Sequence, residues 1–329
     1  MGVLSGLIDA GGEHRSTLAD VEQELFVGVG SRPAKVTRFW VLLVLASIIA
    51  AGGVVGNSTT AVIGAMIMTP LATPLYGVAL STVLGSRRHL RGALLLLTAG
   101  VLVSVLVGVV MALLTFDRMP LDANTQIVGR TSPAVLDLVI AIAAGLAGAY
   151  ALVRRDVANI LAGVAIAITL VPVLEVAGIS LGSGRLDLAL GAFLLFLANA
   201  AAIMLGGMVV FTAAGYERAA SRGPAKRHYA RFVVAALIIA VVVPLTISSV
   251  RGYRYLRWAD ATEAATRSWV DGTGWHVTDV SRVGDEIVAT VIGRGAPPPL
   301  PGIRTLVRRT VPGDVTVRLI ESNGTNVTL

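Results

Sequence analysis

The sequence predicts a polytopic α-helical membrane protein of about 7 transmembrane segments, followed by a small α+β C-terminal domain. Three observations predict it. Apolar segments, each near the ~20 residues needed to cross a bilayer, succeed one another from Phe39 to Val250. Two of them are interrupted at matching places by proline and small polar residues. Beyond Val250 the chain turns basic and aromatic, and then alternates apolar with polar residues. Composition agrees: 55% of residues are hydrophobic and 14% charged, against about 25% charged in soluble domains. Mean hydropathy is +0.78, and the 36 glycines suit membrane helices.

Residues 1–38 are mixed and polar, a cytoplasmic N-terminal flank ending in Arg32, Pro33, Lys35 and Arg38. No short apolar core with a small-residue cleavage site opens the chain, so no secretory signal peptide is expected. An amphipathic helix is expected around Leu18 to Val27, lying on the surface of a solvated flank. The membrane domain then runs over 39–250. Its segments are Phe39–Val55, Ala61–Leu84, Gly92–Phe116, Ala134–Val153, Val157–Leu181, Leu188–Phe211 and Phe232–Val250. The first two are joined by the tight hairpin Gly56–Thr60, and the second either spans or re-enters at its prolines.

Charge sets the orientation. Loops holding Arg32–Arg38, Arg87–Arg91, Arg154–Arg155 and Arg218–Arg231 carry about twice the Lys and Arg of the opposite side. The positive-inside rule then puts the N-terminus in the cytoplasm of a bacterial cytoplasmic membrane and the tail, 251–329, outside. The net charge of +7 is explained by these flanks rather than by nucleic-acid binding.

The most informative stretch is NSTTAVIGAMIMTPLATPLYG, Asn57 to Gly77. Proline removes a backbone donor and clashes with the carbonyl four residues back, so a helix through Pro70 and Pro74 must kink or break. Broken backbone at membrane depth is tolerated where protein buries it or where it lines a water-filled cavity. A similar pattern returns in the fifth segment, GVAIAITLVPVL from Gly163. Each has a threonine just before its interruption (Thr69, Thr169) and an asparagine ahead of its glycine (Asn57, Asn159). Three spans is an odd number, so the trios formed by segments one to three and four to six would sit in opposite orientations. Inverted repeats with broken helices in corresponding positions point to a transporter's central site.

In order, the runs NSTTAVIGAMIMTPLATPLYG, RTSPAVLDLVIAIAAGLAGAYAL, GVAIAITLVPVLEVAG and GAFLLFLANAAAI resemble the signature blocks of a bacterial uncharacterised hydrophobic membrane protein family, domain of unknown function 389. The resemblance covers roughly residues 38–212 and implies a membrane architecture without an accepted activity. In that family the second broken segment usually carries two adjacent prolines and an uncharged residue soon after. Here Pro172 is followed by Val173, and Glu175 stands where the charge is unusual.

Asp137 and Glu175 are the ionisable groups within the spans, and acidic residues there usually face a cavity, an ion path or a partner. On this topology both lie towards the outer half. They either share a vestibule or act as interfacial carboxylates paired with Arg130 or Arg185. Asn199, in FLLFLANAAAI, either bonds across to a neighbouring helix or offers its carbonyl oxygen to a solute. The expected pathway residues are Asn57, Thr69, Pro70, Thr73, Pro74, Thr169, Pro172, Glu175, Asn199 and Asp137. Gly145, Gly148, Gly206 and Gly207 read as packing faces.

In the tail, Arg251–Val270 reads as a helix leaving the membrane, Trp275–Val283 and Glu286–Ile292 as paired strands, Ile303–Thr310 as a helix and Asp314–Ile320 as a strand. This α-β-β-α-β order suggests helices on one face of a three-stranded sheet, a module that oligomerises, senses or simply caps the membrane domain. HExxH and GxxxxGK[ST] patterns are absent, the four histidines are scattered and cysteine is missing. No enzyme activity, cofactor, metal or nucleic-acid partner is therefore expected, and a homo-oligomer in lipid is. Two readings follow. One is a secondary transporter or channel for a small solute or ion, its path lined at Pro70–Pro74 and Pro172. The other is a non-transporting scaffold or signalling oligomer that acts through its tail.

Overall fold

A computed structural model describes residues 15–26, 32–115, 121–131, 135–154, 156–157, 170–219, 224–283, 286–293, 297–309, 311–312 and 315–323. The chain divides into two compact units, residues 1–246 and 247–329.

The first unit is helical. Its main elements are α1 (Leu18–Leu25), α2 (Arg32–Val55), α3 (Thr59–Met68), α4 (Ala72–Leu84) and α5 (Arg87–Leu114). After the short α6 (Thr125–Val128) come α7 (Val135–Val153), α8 (Val171–Gly182), α9 (Leu186–Ala213), α10 (Tyr216–Ala219) and the start of α11 (Pro224–Val270). Among the described residues, four helices are long and apolar enough to cross a membrane: Pro33–Val55, Arg87–Leu114, Leu136–Val153 and Leu186–Ala213. The pair α3 and α4, bent by 45°, makes a fifth if counted as one span. The expected count of about seven is not reached. Of the fifth expected segment only α8 is described, since residues 158–169 lie outside the described residues. The seventh is part of α11, a helix of 47 residues that runs on through the helix expected at Arg251–Val270.

These helices are built inside out relative to a soluble bundle. On α5 the outward positions are large and apolar, with Leu95 72% and Leu114 76% exposed. Past Leu90 its buried positions are small: Ala93, Gly100, Ser104, Gly108 and Ala112. Apolar side chains facing outwards suit lipid, and small ones facing inwards let helix backbones approach. The short helices α4 and α8 each lie against both long helices α5 and α9, while α7 packs on α9 and α2 on α3 and α5. Gly145 and Gly206 are the closest points of α7 and α9: a Cβ on Gly145 would come 2.7 Å from Ile203 Cα, and one on Gly206 2.8 Å from Leu146 N. Gly148 makes room for the Tyr76 ring, whose hydroxyl donates to the carbonyls of Ala144 and Gly145 at 3.3 and 3.2 Å. The glycine faces are packing faces.

The flank is not solvated along its whole length. Thr17 and Asp20 form a capping box that starts α1, and Val21, Leu25 and Phe26 are buried. Phe26 stacks on His89 with ring centroids 4.3 Å apart. Ser16 N–H donates to Val153 O at 2.8 Å, Tyr216 O–H donates to Ser16 O at 2.8 Å, and Arg15 donates to Ala214 O. An amphipathic face shows that something apolar covers it; here the cover is protein.

In the second unit, β1 (His276–Val283) pairs antiparallel with β2 (Glu286–Gly293), which pairs parallel with β3 (Thr316–Asn323). The parallel pair needs a crossover, supplied by α12 (Leu300–Arg308). Trp269 at the end of α11 and Ile303 and Val307 of α12 share one core with Ile287 and Val291 of the sheet. This is the α-β-β-α-β order read from the alternation. Trp275, expected to begin β1, precedes it and fills the space above Gly293, where a Cβ would sit 2.2 Å from the indole.

Candidate functional site

The first break falls where Pro70 dictates. The residue before a proline is driven out of the α region, and Thr69 is extended with ψ 123°. Its side chain repairs part of the damage, because Thr69 Oγ1 donates to Ala65 O at 2.9 Å. Thr69 N–H reaches Met66 O and Thr73 N–H reaches Pro70 O, at 3.3 and 3.1 Å. Pro74 costs α4 little, because it sits in the first turn, where backbone donors have no partner within the helix. It is buried, while Thr69, Pro70 and Thr73 are half-buried. Pro74 also lines a cleft of about 600 Å³ walled by Phe26, Trp40, Leu95 and Leu96, with Arg88 and His89 on its lining.

Asn57 stands apart from this break. It turns the hairpin between α2 and α3 with φ 50°, a left-handed conformation that asparagine tolerates better than most residues. Its Oδ1 accepts from Thr125 Oγ1 at 2.8 Å. A polar knot gathers around it. Gln126 Nε2 donates to Thr59 Oγ1 at 2.9 Å, and Asn124 Nδ2 donates to Val54 O at 2.7 Å. Arg130 Nη1 donates to Gln126 Oε1 at 2.8 Å, and burial pulls its guanidinium below the ordinary range.

The second break is of another kind. α8 starts at Val171 with Pro172 in its first turn and no side-chain cap. Every residue from Val171 to Ser180 is buried. Glu175 is 0% exposed, and among the described residues neither carboxyl oxygen has a hydrogen-bond partner. Arg185, one of the expected partners, instead pairs with Asp187 at 2.9 Å, and Arg130 is taken up by Gln126. Ser47 of α2 stands beside the carboxyl, but its hydroxyl bonds to Ser104 Oγ of α5 at 3.0 Å. Both serines are fully buried. Gly108 closes the other side, where a Cβ would come 3.1 Å from Glu175 Oε2. Gly178 brings α8 onto α5, with a Cβ there 2.3 Å from Val105 O.

Asp137 is half-buried in the first turn of α7, whose main neighbour is α9. Asn199 is buried on α9. Thr169 lies outside the described residues. Of the expected set, then, Thr69, Pro70, Thr73 and Pro74 cluster at one break, and Pro172 and Glu175 at the other. Ser47, Ser104, Gly108, Trp40, Arg88 and His89 were not singled out in the sequence. The small residues Gly100, Ser104, Gly108 and Ala112, spaced by four, carry a signal that marks the inward face of α5, the first two against α2 and the last two against α8.

Apolar helices with lipid-suited outer faces and small inner ones define the class: a helical membrane protein. Residues 66–205 match the family described as Domain of unknown function (DUF389). That match covers a narrower range than the sequence blocks suggest. The chain is also 30% identical over 208 residues to an uncharacterized protein of the archaeon Methanocaldococcus jannaschii, a match taking in 61% of this chain and 63% of that protein.

Proposed function

We propose that this protein is a secondary transporter or channel for a small solute or ion, with the broken helices on its path. One observation carries the reading: Pro74, in the first turn of α4 just past the break, lines a cleft of about 600 Å³. Irregular backbone at apolar depth is tolerated beside a cavity or under a protein cover, and a cavity lies one turn from this break. The placement of α4 and α8, each between the same two long helices, supports two trios rocking against each other around the breaks. Arg88 and His89 would meet a solute at the mouth of the cleft, and Thr73 would meet it at the break. On the positive-inside reading that mouth faces the cytoplasm.

The chain lacks cysteine, so Thr73→Cys and Val173→Cys can each be reconstituted and treated with a membrane-impermeant thiol reagent from either side. Labelling at both positions is expected, slower at the buried Val173. If neither reacts while a Ser183→Cys control does, both breaks are dry packing features. The pathway would then be abandoned, and the scaffold reading centred on the C-terminal sheet takes its place.

A further inference from the structure

We propose that Glu175 is the proton-exchange site of this protein, the carboxyl through which transport is coupled to protons. This rests on the transport reading and adds the coupling ion to it.

The inference starts from isolation. Glu175 is completely buried, and both its oxygens lack hydrogen bonds among the described residues. Among the described residues, the helices packed on α8 are α5, α9, α2 and α3. None of them supplies a counter-charge: residues 39–55 of α2, 59–68 of α3, 92–114 of α5 and 188–213 of α9 contain no Asp, Glu, Lys, Arg or His. Within α8 itself Glu175 is the single ionisable residue. A permanent anion in such surroundings is strongly disfavoured, and a carboxyl persists there by holding a positive partner of its own.

The surroundings select the proton as that partner. A metal ion or sodium needs several oxygen ligands, and Glu175 belongs to no group of three or more His, Cys, Asp or Glu side chains among the described residues. Gly108 closes the space beside Oε2, and the two neighbouring hydroxyls are already bonded to each other. A proton needs one oxygen and almost no room. The serine pair also suits both states of the carboxyl, because a hydroxyl can donate to a carboxylate or, after rotation, accept from a carboxylic acid. The exchange itself is a simple acid–base step: the carboxyl O–H breaks, the proton passes to water on the side to which the break opens, and it returns from water on the other. The position of Glu175, one turn into a helix that starts abruptly, places a positive dipole end near the anion at the moment of release.

The test is infrared difference spectroscopy of the full chain in vesicles, with pH as the variable. The native protein should show a carboxylic-acid C=O band that disappears reversibly as the pH is raised and returns as it is lowered. Glu175→Gln should remove it, and uniform [13C]glutamate labelling of the native chain should shift it, which covers the case of a variant that fails to fold. Ser47→Ala should move the midpoint and keep the band. In vesicles loaded with a pH-sensitive dye and held under a valinomycin-set potassium potential, Glu175→Gln should reduce proton entry to the protein-free level. A missing glutamate-derived band, or one unchanged over the whole range, would overturn the proposal. A titrating band without labelling at Thr73→Cys would leave the proton site in place and remove the transport reading.

Discussion

The two broken segments begin alike in sequence and end as opposites. At the first, proline opens the backbone and Thr69 immediately satisfies Ala65 O, in half-buried surroundings beside a cleft. At the second, ten consecutive residues are buried and the polar group brought in, Glu175, has no partner among the described residues. The first break is therefore self-sufficient and suited to bending. The second is chemically unfinished and suited to receiving something. Proline placement alone does not tell a hinge from a site. What separates them is whether the polar atoms near the break are already bonded.

The sharpest way to break this contrast is to add one methyl group to each segment. Gly178→Ala would push a Cβ to 2.3 Å from the Val105 carbonyl on α5, and overpacking of that kind costs about 1–3 kcal/mol. Thermal unfolding in detergent should fall accordingly, and an unchanged midpoint would mean that α8 is not held as tightly as described. Glu175→Met should act in the opposite direction. It removes an unsatisfied buried polar group, a penalty of about 1–3 kcal/mol, so the variant should melt higher than the native protein while losing proton entry. A lower midpoint would show that the carboxyl has a stabilising partner. At the first break, Thr69→Val deletes the hydroxyl bond to Ala65 O and should cost about 1 kcal/mol. If it costs nothing, water replaces the hydroxyl and the break is wetter than its half-buried threonine suggests. The smallest effect is expected at Gly64, where a Cβ would meet nothing within 4 Å. Gly64→Ala should be neutral or stabilising by up to about 1 kcal/mol through helix propensity, and clear destabilisation there would erase the difference between the segments.

How much of this was legible follows from the kind of signal involved. The breaks were readable because Pro70 and Pro172 act locally, on their own helices. The strands of the second unit were readable because alternation has a period of two. Glu175 was visible as a charge in an apolar run, but its isolation was not, since isolation depends on which faces of α2, α5 and α9 surround it. The serine pair joins residues 57 positions apart, and no pattern in either helix announces the other. Composition ends the last span at Val250, whereas helix hydrogen bonding ignores composition and carries α11 on to Val270. Asn57 was read as a pathway residue from its polarity, and its positive φ and bond to Thr125 supply a turn-forming reason for the same residue type.

The contacts of Arg15 and Ser16 with residues as far on as Tyr216 have a consequence in time. Ser16 and Tyr216 are separated by 200 positions, and at 5–20 residues per second a ribosome needs about 10–40 s to cover that distance. The stretch made early is thus fitted late. During that interval Leu25 and Phe26 already have Gly77 and His89 to rest on, while Arg15 and Ser16 still lack Ala214 and Tyr216.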